Sequence, residues 1–192
     1  MEFEKEITVE VDTSLEDLIK ILKENHFELK EKFDLNDIYM IHKSEKENDY
    51  LAMLNKCVLI REVIEKDEER KMLTYKYKEY NENKEITKQG KINCGIDDIE
   101  YAQMLLEKLN FEELISIKDH MSVYANKTDE LAIQCVNGKH VYIEVETKCS
   151  YAEKNYESIE EMEKVFSKYA IPIKDNNYFV KKAEIELQET YR

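Results

Sequence analysis

Asn25-His26-Phe27-Glu28-Leu29 and Leu109-Asn110-Phe111-Glu112-Glu113 lie about 84 residues apart, and each separates a helical pattern from a strand pattern. Before the first, Thr13 and Glu16 fit a capping box, and Leu15, Leu18, Ile19 and Leu22 form one apolar stripe. Before the second, Asp97 and Glu100 resemble the same box, and Ile99, Ala102, Leu105, Leu106 and Leu109 recur at helical spacing. A strand at residues 4–11 opens the first half, and strands at 37–42, 51–63 and 72–80 follow its helix. The second half opens with a strand at 84–93. It continues after its helix through a strand around 117–124 and a hairpin, 131–136 and 140–146, turned on Asn137-Gly138. The order is therefore βαβββ, twice. A last helix starts at Ser158 with Glu161 as box partner, buries Met162, Val165, Phe166 and Tyr169, and stops at Pro172. The alternation of Ala183, Ile185 and Leu187 with Lys182, Glu184 and Glu186 predicts a closing strand over 179–187.

With three Gly, one Pro and no Ser-rich linker in 192 residues, the chain reads as one domain over 1–192. Its formal net charge of −14 argues against nucleic acid and anionic membranes as partners, since both are polyanions. Apolar runs are too short to span a bilayer, and no basic-then-apolar leader is visible. Cys57, Cys94, Cys135 and Cys149 lack CxxC spacing, so buried, reduced thiols and a cytoplasmic setting are expected. The oligomeric state is open.

Side chains alternate across a strand, so Glu4, Glu6, Thr8 and Glu10 share one face of the first strand, opposite Ile7, Val9 and Val11. Glu144 and Glu146 repeat the device against Ile143 and Val145. Each strand alone would suit a half-buried strand on a solvated sheet. Brought together, the carboxylates need water, bases or a hard cation between them. Thr74, Lys76 and Lys78 share a face opposite Leu73, Tyr75 and Tyr77. If the aromatic face lies under a helix, the lysines point to the carboxylate side. Around residue 120, Lys118, His120, Ser122 and Tyr124 oppose Ile117, Met121 and Val123.

With these residues in place, the chain resembles the CYTH, or triphosphate tunnel metalloenzyme, family over nearly its whole length. The family's ExExK strand is matched by Glu4-Lys5-Glu6-Ile7 and broken at Thr8, and its acidic pair by Glu144-Val145-Glu146. Its RxR strand is similar to Leu59-Ile60-Arg61, and its lysine-bearing strand to Leu73-Thr74-Tyr75-Lys76. Its KxR strand is similar to Lys118-Asp119-His120, and Lys182 stands where a base is common in the last strand. The resemblance implies an α+β fold: an antiparallel eight-stranded closed tunnel barrel of two βαβββ halves, with helices outside. It implies a metal-dependent phosphohydrolase of inorganic, thiamine or nucleotide triphosphate. Glu4, Glu6, Glu144 and Glu146 would hold Mg²⁺ or Mn²⁺, with Glu4, Glu6 and Glu146 as catalytic residues. Arg61, Lys76, Lys78, Lys118, His120 and Lys182 would take the phosphates.

Thr8, Leu59 and His120 stand where the family carries bases, and each lost charge-assisted contact removes about 1.5–3 kcal/mol of phosphate binding. A class IV-type adenylate cyclase, a non-catalytic phosphate-binding tunnel and a scaffold therefore remain alternatives to the triphosphatase. Which triphosphate would fit is open.

Overall fold

The computed structural model describes residues 6–66, 68–80 and 86–191, with side chains except at 78–80 and 86–89. In chain order the first half is β1 (Glu6–Glu10), α1 (Leu15–Glu24), β2 (Glu28–His42), α2 (Tyr50–Leu54), β3 (Val58–Glu65) and β4 (Glu68–Tyr80). The second is β5 (Ile86–Gly95), α3 (Ile99–Lys108), β6 (Phe111–Ala125), β7 (Glu130–Val136) and β8 (His140–Glu146). α4 (Ile159–Lys168) and α5 (Lys182–Thr190) follow. Apart from the inserted 3₁₀ turn Lys43–Glu45 and α2, the order is βαβββ twice.

The 84-residue offset holds at the level of caps. Ser14 and Asp98 are the N-caps of α1 and α3, accepting from the backbone N–H of Asp17 and Tyr101. Each lies one residue after the cap expected at Thr13 and Asp97. His26 and Asn110, just past the two helices, both take the left-handed conformation, with φ of 62° and 68°. Asn25 and Leu109 are the C-caps before them.

The strands form an eight-stranded antiparallel sheet in the order β1-β8-β7-β6-β2-β3-β4-β5, which reads the same backwards when each half is exchanged for the other. Among the described residues hydrogen bonds do not close this sheet into a barrel. The Asn137-Gly138 turn is as expected: both residues have positive φ, 49° and 69°, and Lys139 N–H donates to Val136 C=O.

Two segments depart from expectation. Residues 51–63 are not one strand, because the Asp49 carboxylate accepts from Ala52 N–H and starts α2 before β3 begins at Val58. The expected last strand, 179–187, is largely α5: Ala, Glu, Leu and Gln favour helix, and only Phe179 bridges the sheet, at Thr8.

The chain divides into two compact units. The first comprises residues through Asp34 with Asp119–Lys181; the second, Leu35–Lys118 with Lys182–Arg192. In the first, Ile7, Val9, Leu131, Ile133, Ile143 and Val145 make an apolar sheet face buried under α1 and α4, with Leu18, Leu22, Met162, Val165 and Phe166. Buried Asp129 ties the segment after β6 to α4. It accepts from Thr128 Oγ1 (2.6 Å), Lys168 Nζ (2.6 Å), Tyr169 OH (2.5 Å) and Tyr156 OH (3.0 Å). In the second, Met40 and Ile60 pack against Ala102 and Leu106 of α3, with Leu73 beside them. Cys57 is buried, but Cys94 is exposed, contrary to the expectation for all four thiols; all are free.

Candidate functional site

The polar sheet face of the first unit follows from strand register. Glu6 lies opposite Glu146 and Thr8 opposite Glu144 across β1–β8. Cross-strand partners bring their Cβ atoms to about 5 Å, so three carboxylates meet. One oxygen from each of Glu6, Glu144 and Glu146 lies within 4.8 Å of the other two. Glu4 lies outside the described residues. Gln134 Nε2 donates to Glu144 Oε2 at 3.0 Å, fixing that carboxylate from β7. Three converging carboxylate oxygens are a hard donor set of the kind Mg²⁺ or Mn²⁺ takes.

Glu10 shares the face but is already neutralised. Its Oε1 lies 3.1 Å from His140 Nδ1 and 2.9 Å from Lys174 Nζ. Lys174 and the His140 ring thus hold Glu10, while Glu6, Glu144 and Glu146 face one another.

β6 meets this face the other way round from the sequence expectation. Asp119 pairs with Val136 and Met121 with Gln134, and Gln134 pairs with Tyr142 on β8. Asp119, Met121 and Val123 therefore share the carboxylate face. Lys118, His120, Ser122 and Tyr124 lie on the side of the helix-covered core, which contains Tyr124. Lys118 and His120 are exposed there, and His120 Nδ1 is 2.7 Å from Asp34 Oδ1.

The second unit carries the other basic residues. Arg61 lies opposite Met72, Lys76 opposite Lys91, and Thr74 opposite Asn93 with a 3.0 Å side-chain hydrogen bond. These positions share the face away from Ile60, Leu73 and α3. Arg61 is gripped by buried Asp37 through Nε–Oδ1 (2.7 Å) and Nη2–Oδ2 (2.6 Å). Leu59, on the same face, is buried. The Lys78 side chain lies outside the described residues. Lys182 is the first residue of α5, not a strand residue. Sequence reasoning missed Lys91 and Asp37. The β4–β5 hairpin would have revealed Lys91, as the residue opposite Lys76; nothing in the sequence pairs Asp37 with Arg61.

No protein-family model and no curated protein matches the sequence. Solved structures do. The PH1819 protein of Pyrococcus horikoshii OT3 superposes with a TM-score of 0.67 at 22% identity, covering 99% of this chain and 100% of that one. HpAC1 of Hippeastrum, described as a candidate adenylyl cyclase with a dominant triphosphatase activity, gives 0.62 at 16% identity over 98% and 96%. A candidate adenylate cyclase of Vibrio parahaemolyticus gives 0.59 at 12% identity over 98% of each chain. With βαβββ halves, an eight-stranded antiparallel sheet and these neighbours, the chain has the CYTH-like fold.

Proposed function

We propose that this protein is a metal-dependent phosphohydrolase of a triphosphate. The observation that carries this reading is the oxygen triad of Glu6, Glu144 and Glu146 on the polar face of β1 and β8. The triphosphatase activity described for HpAC1, which shares the fold, supports the same chemistry. In this reading the sheet curls into a closed tunnel, and Arg61, Lys76, Lys91 and Lys182 supply cations for the phosphates.

Glu6, Glu144 and Glu146 would hold Mg²⁺ or Mn²⁺, with Glu144 oriented by Gln134. A divalent cation held by these carboxylates would supply charge neutralisation for phosphoryl oxygens and a means of orienting water. Lys76 and Lys91, opposite one another, present two ammonium groups to an anion at one level of β4–β5. Arg61 contributes to the extent that phosphate oxygens displace Asp37, whose two hydrogen bonds already match a guanidinium edge.

That competition supports a second reading, a phosphate-binding protein without turnover. Phosphate release from inorganic, thiamine and adenosine triphosphates, each with Mg²⁺ or Mn²⁺, distinguishes the two. Release that disappears in Glu146→Gln supports the enzyme. Ligand-dependent thermal stabilisation without release supports the binding protein, and cyclic nucleotide formation supports a cyclase.

A further inference from the structure

One amide beside the oxygen triad is only half used. Gln134 on β7 is 1% exposed, and its Nε2 donates to Glu144 Oε2 at 3.0 Å. Among the described residues no donor reaches its Oε1, which is fully buried. A buried acceptor left without a donor forfeits its hydration, and native structures rarely hold one unless something is delivered to it. Bulk solvent does not supply that donor, because the oxygen has no solvent contact.

Register and covalent geometry place this oxygen on the carboxylate side of the sheet. Gln134 pairs with Tyr142, and Tyr142 with Glu10, so Gln134 shares the face of Glu6, Glu144 and Glu146. The nitrogen and oxygen of one amide are about 2.2 Å apart, so Oε1 lies within about 5 Å of Glu144 Oε2. Opposite Glu144 on β7 stands Ala132, whose methyl group leaves the flank of that carboxylate uncrowded.

Resting on the cation reading above, we propose that Gln134 is a positioning residue whose Oε1 accepts a hydrogen bond from a water in the divalent cation's shell. Mg²⁺ favours octahedral oxygen coordination and keeps water at positions that protein leaves open, and the triad supplies one oxygen from each of Glu6, Glu144 and Glu146. A water polarised by a cation is a strong donor, and Gln134 Oε1 is the buried acceptor on that side. Gln134 thus works with both ends of its amide. Nε2 fixes a carboxylate, and Oε1 fixes the direction in which the water turns its lone pairs. An uncharged amide adds no further negative charge to the triad and takes no proton at neutral pH, so it orients the water without deprotonating it.

The test follows Mn²⁺ on the full chain, with water exchange read from ¹⁷O-water relaxation. Gln134→Met keeps the length of the side chain and removes both polar atoms. It should shorten the residence of Mn²⁺-bound water about fivefold or more, as expected for one lost hydrogen bond. Gln134→Asn, which withdraws the oxygen by one CH₂, should do the same, and it decides the matter if the methionine variant does not fold. With tripolyphosphate as substrate, kcat should fall about tenfold or more in either variant, with KM within about twofold. Wild-type residence in both variants overturns the proposal; if Mn²⁺ affinity has then dropped, Gln134 serves only to hold Glu144. A wild type that binds no Mn²⁺ at millimolar concentration overturns the cation reading as well, whereas Mn²⁺ binding with unaltered exchange overturns this inference alone.

Discussion

Asp37 holds Arg61 through two hydrogen bonds of 2.7 and 2.6 Å, so the arginine that the family pattern offers to phosphate already has a carboxylate in that place. Asp37→Asn keeps the side-chain shape and removes the charge. It should cost about 1–3 kcal/mol of folding stability in urea unfolding, because a largely buried guanidinium loses its counter-charge. If Arg61 reaches the ligand, the same variant should bind tripolyphosphate more tightly in calorimetry. Unchanged affinity would leave Arg61 as a structural residue.

The register of β6 predicts a contrast between lysines. Lys76→Ala should weaken tripolyphosphate binding about tenfold or more, the value of one charge-assisted contact. Lys118→Ala and His120→Arg should leave the affinity within about twofold, because both residues lie on the opposite face from the carboxylates. Equal losses at Lys76 and Lys118 would show that the basic set is not confined to the polar face.

The oxygen triad predicts stabilisation by metal. Mn²⁺ at about one hundred times its dissociation constant should add about 2.7 kcal/mol to the stability of the wild-type protein. Glu6→Gln or Glu144→Gln should abolish most of that gain, whereas Glu10→Gln should not, since Glu10 is held by His140 and Lys174. Thermal melting with and without Mn²⁺ reads the difference. Equal stabilisation of all four proteins would place the ion elsewhere.

Asp129 sets an acid limit. Burial pushes its carboxyl pKa up, but hydrogen bonds from Lys168, Thr128, Tyr169 and Tyr156 outweigh this and hold it below the ordinary 3.8. A depressed folded-state pKa stabilises the protein above the unfolded value, and that stability is lost as pH falls through the folded one. Unfolding free energy should therefore fall as pH drops below about 3.8, where the unfolded chain binds the extra proton. Asp129→Asn should lower stability near neutrality by about 1.5–3 kcal/mol and flatten this part of the acid profile. Urea titrations of both proteins at several pH values would detect a slope that the substitution leaves unchanged.

Much of this architecture was legible in the sequence. The helical stripes of α1, α3 and α4, the Ser158 cap, the Asn137-Gly138 turn and the 84-residue offset all rest on local chemistry. The apolar backs of β1 and β8 placed Glu6, Glu144 and Glu146 on one face before any coordinates. The rest required tertiary information. Alternation on β6 separated Lys118 and His120 from Ile117 and Met121, but not the covered face from the other. The clue was Tyr124, which packs into the helix-covered core and carries its whole set there. In α5, alternating Ala, Ile and Leu imitated a strand because nine residues span too few turns to distinguish the two periods.

The two strand pairs at the ends of the sheet order come from the same plan, β1 with β8 and β5 with β4. One sets glutamates against each other and the other sets Lys76 against Lys91. The duplicated blueprint has thus diverged in the sign of its charge, with carboxylates on one pair and ammonium groups on the other. A substitution in one pair leaves the register of the other intact, so on the proposed reading metal preference and anion preference would drift along separate routes without redesign of the scaffold.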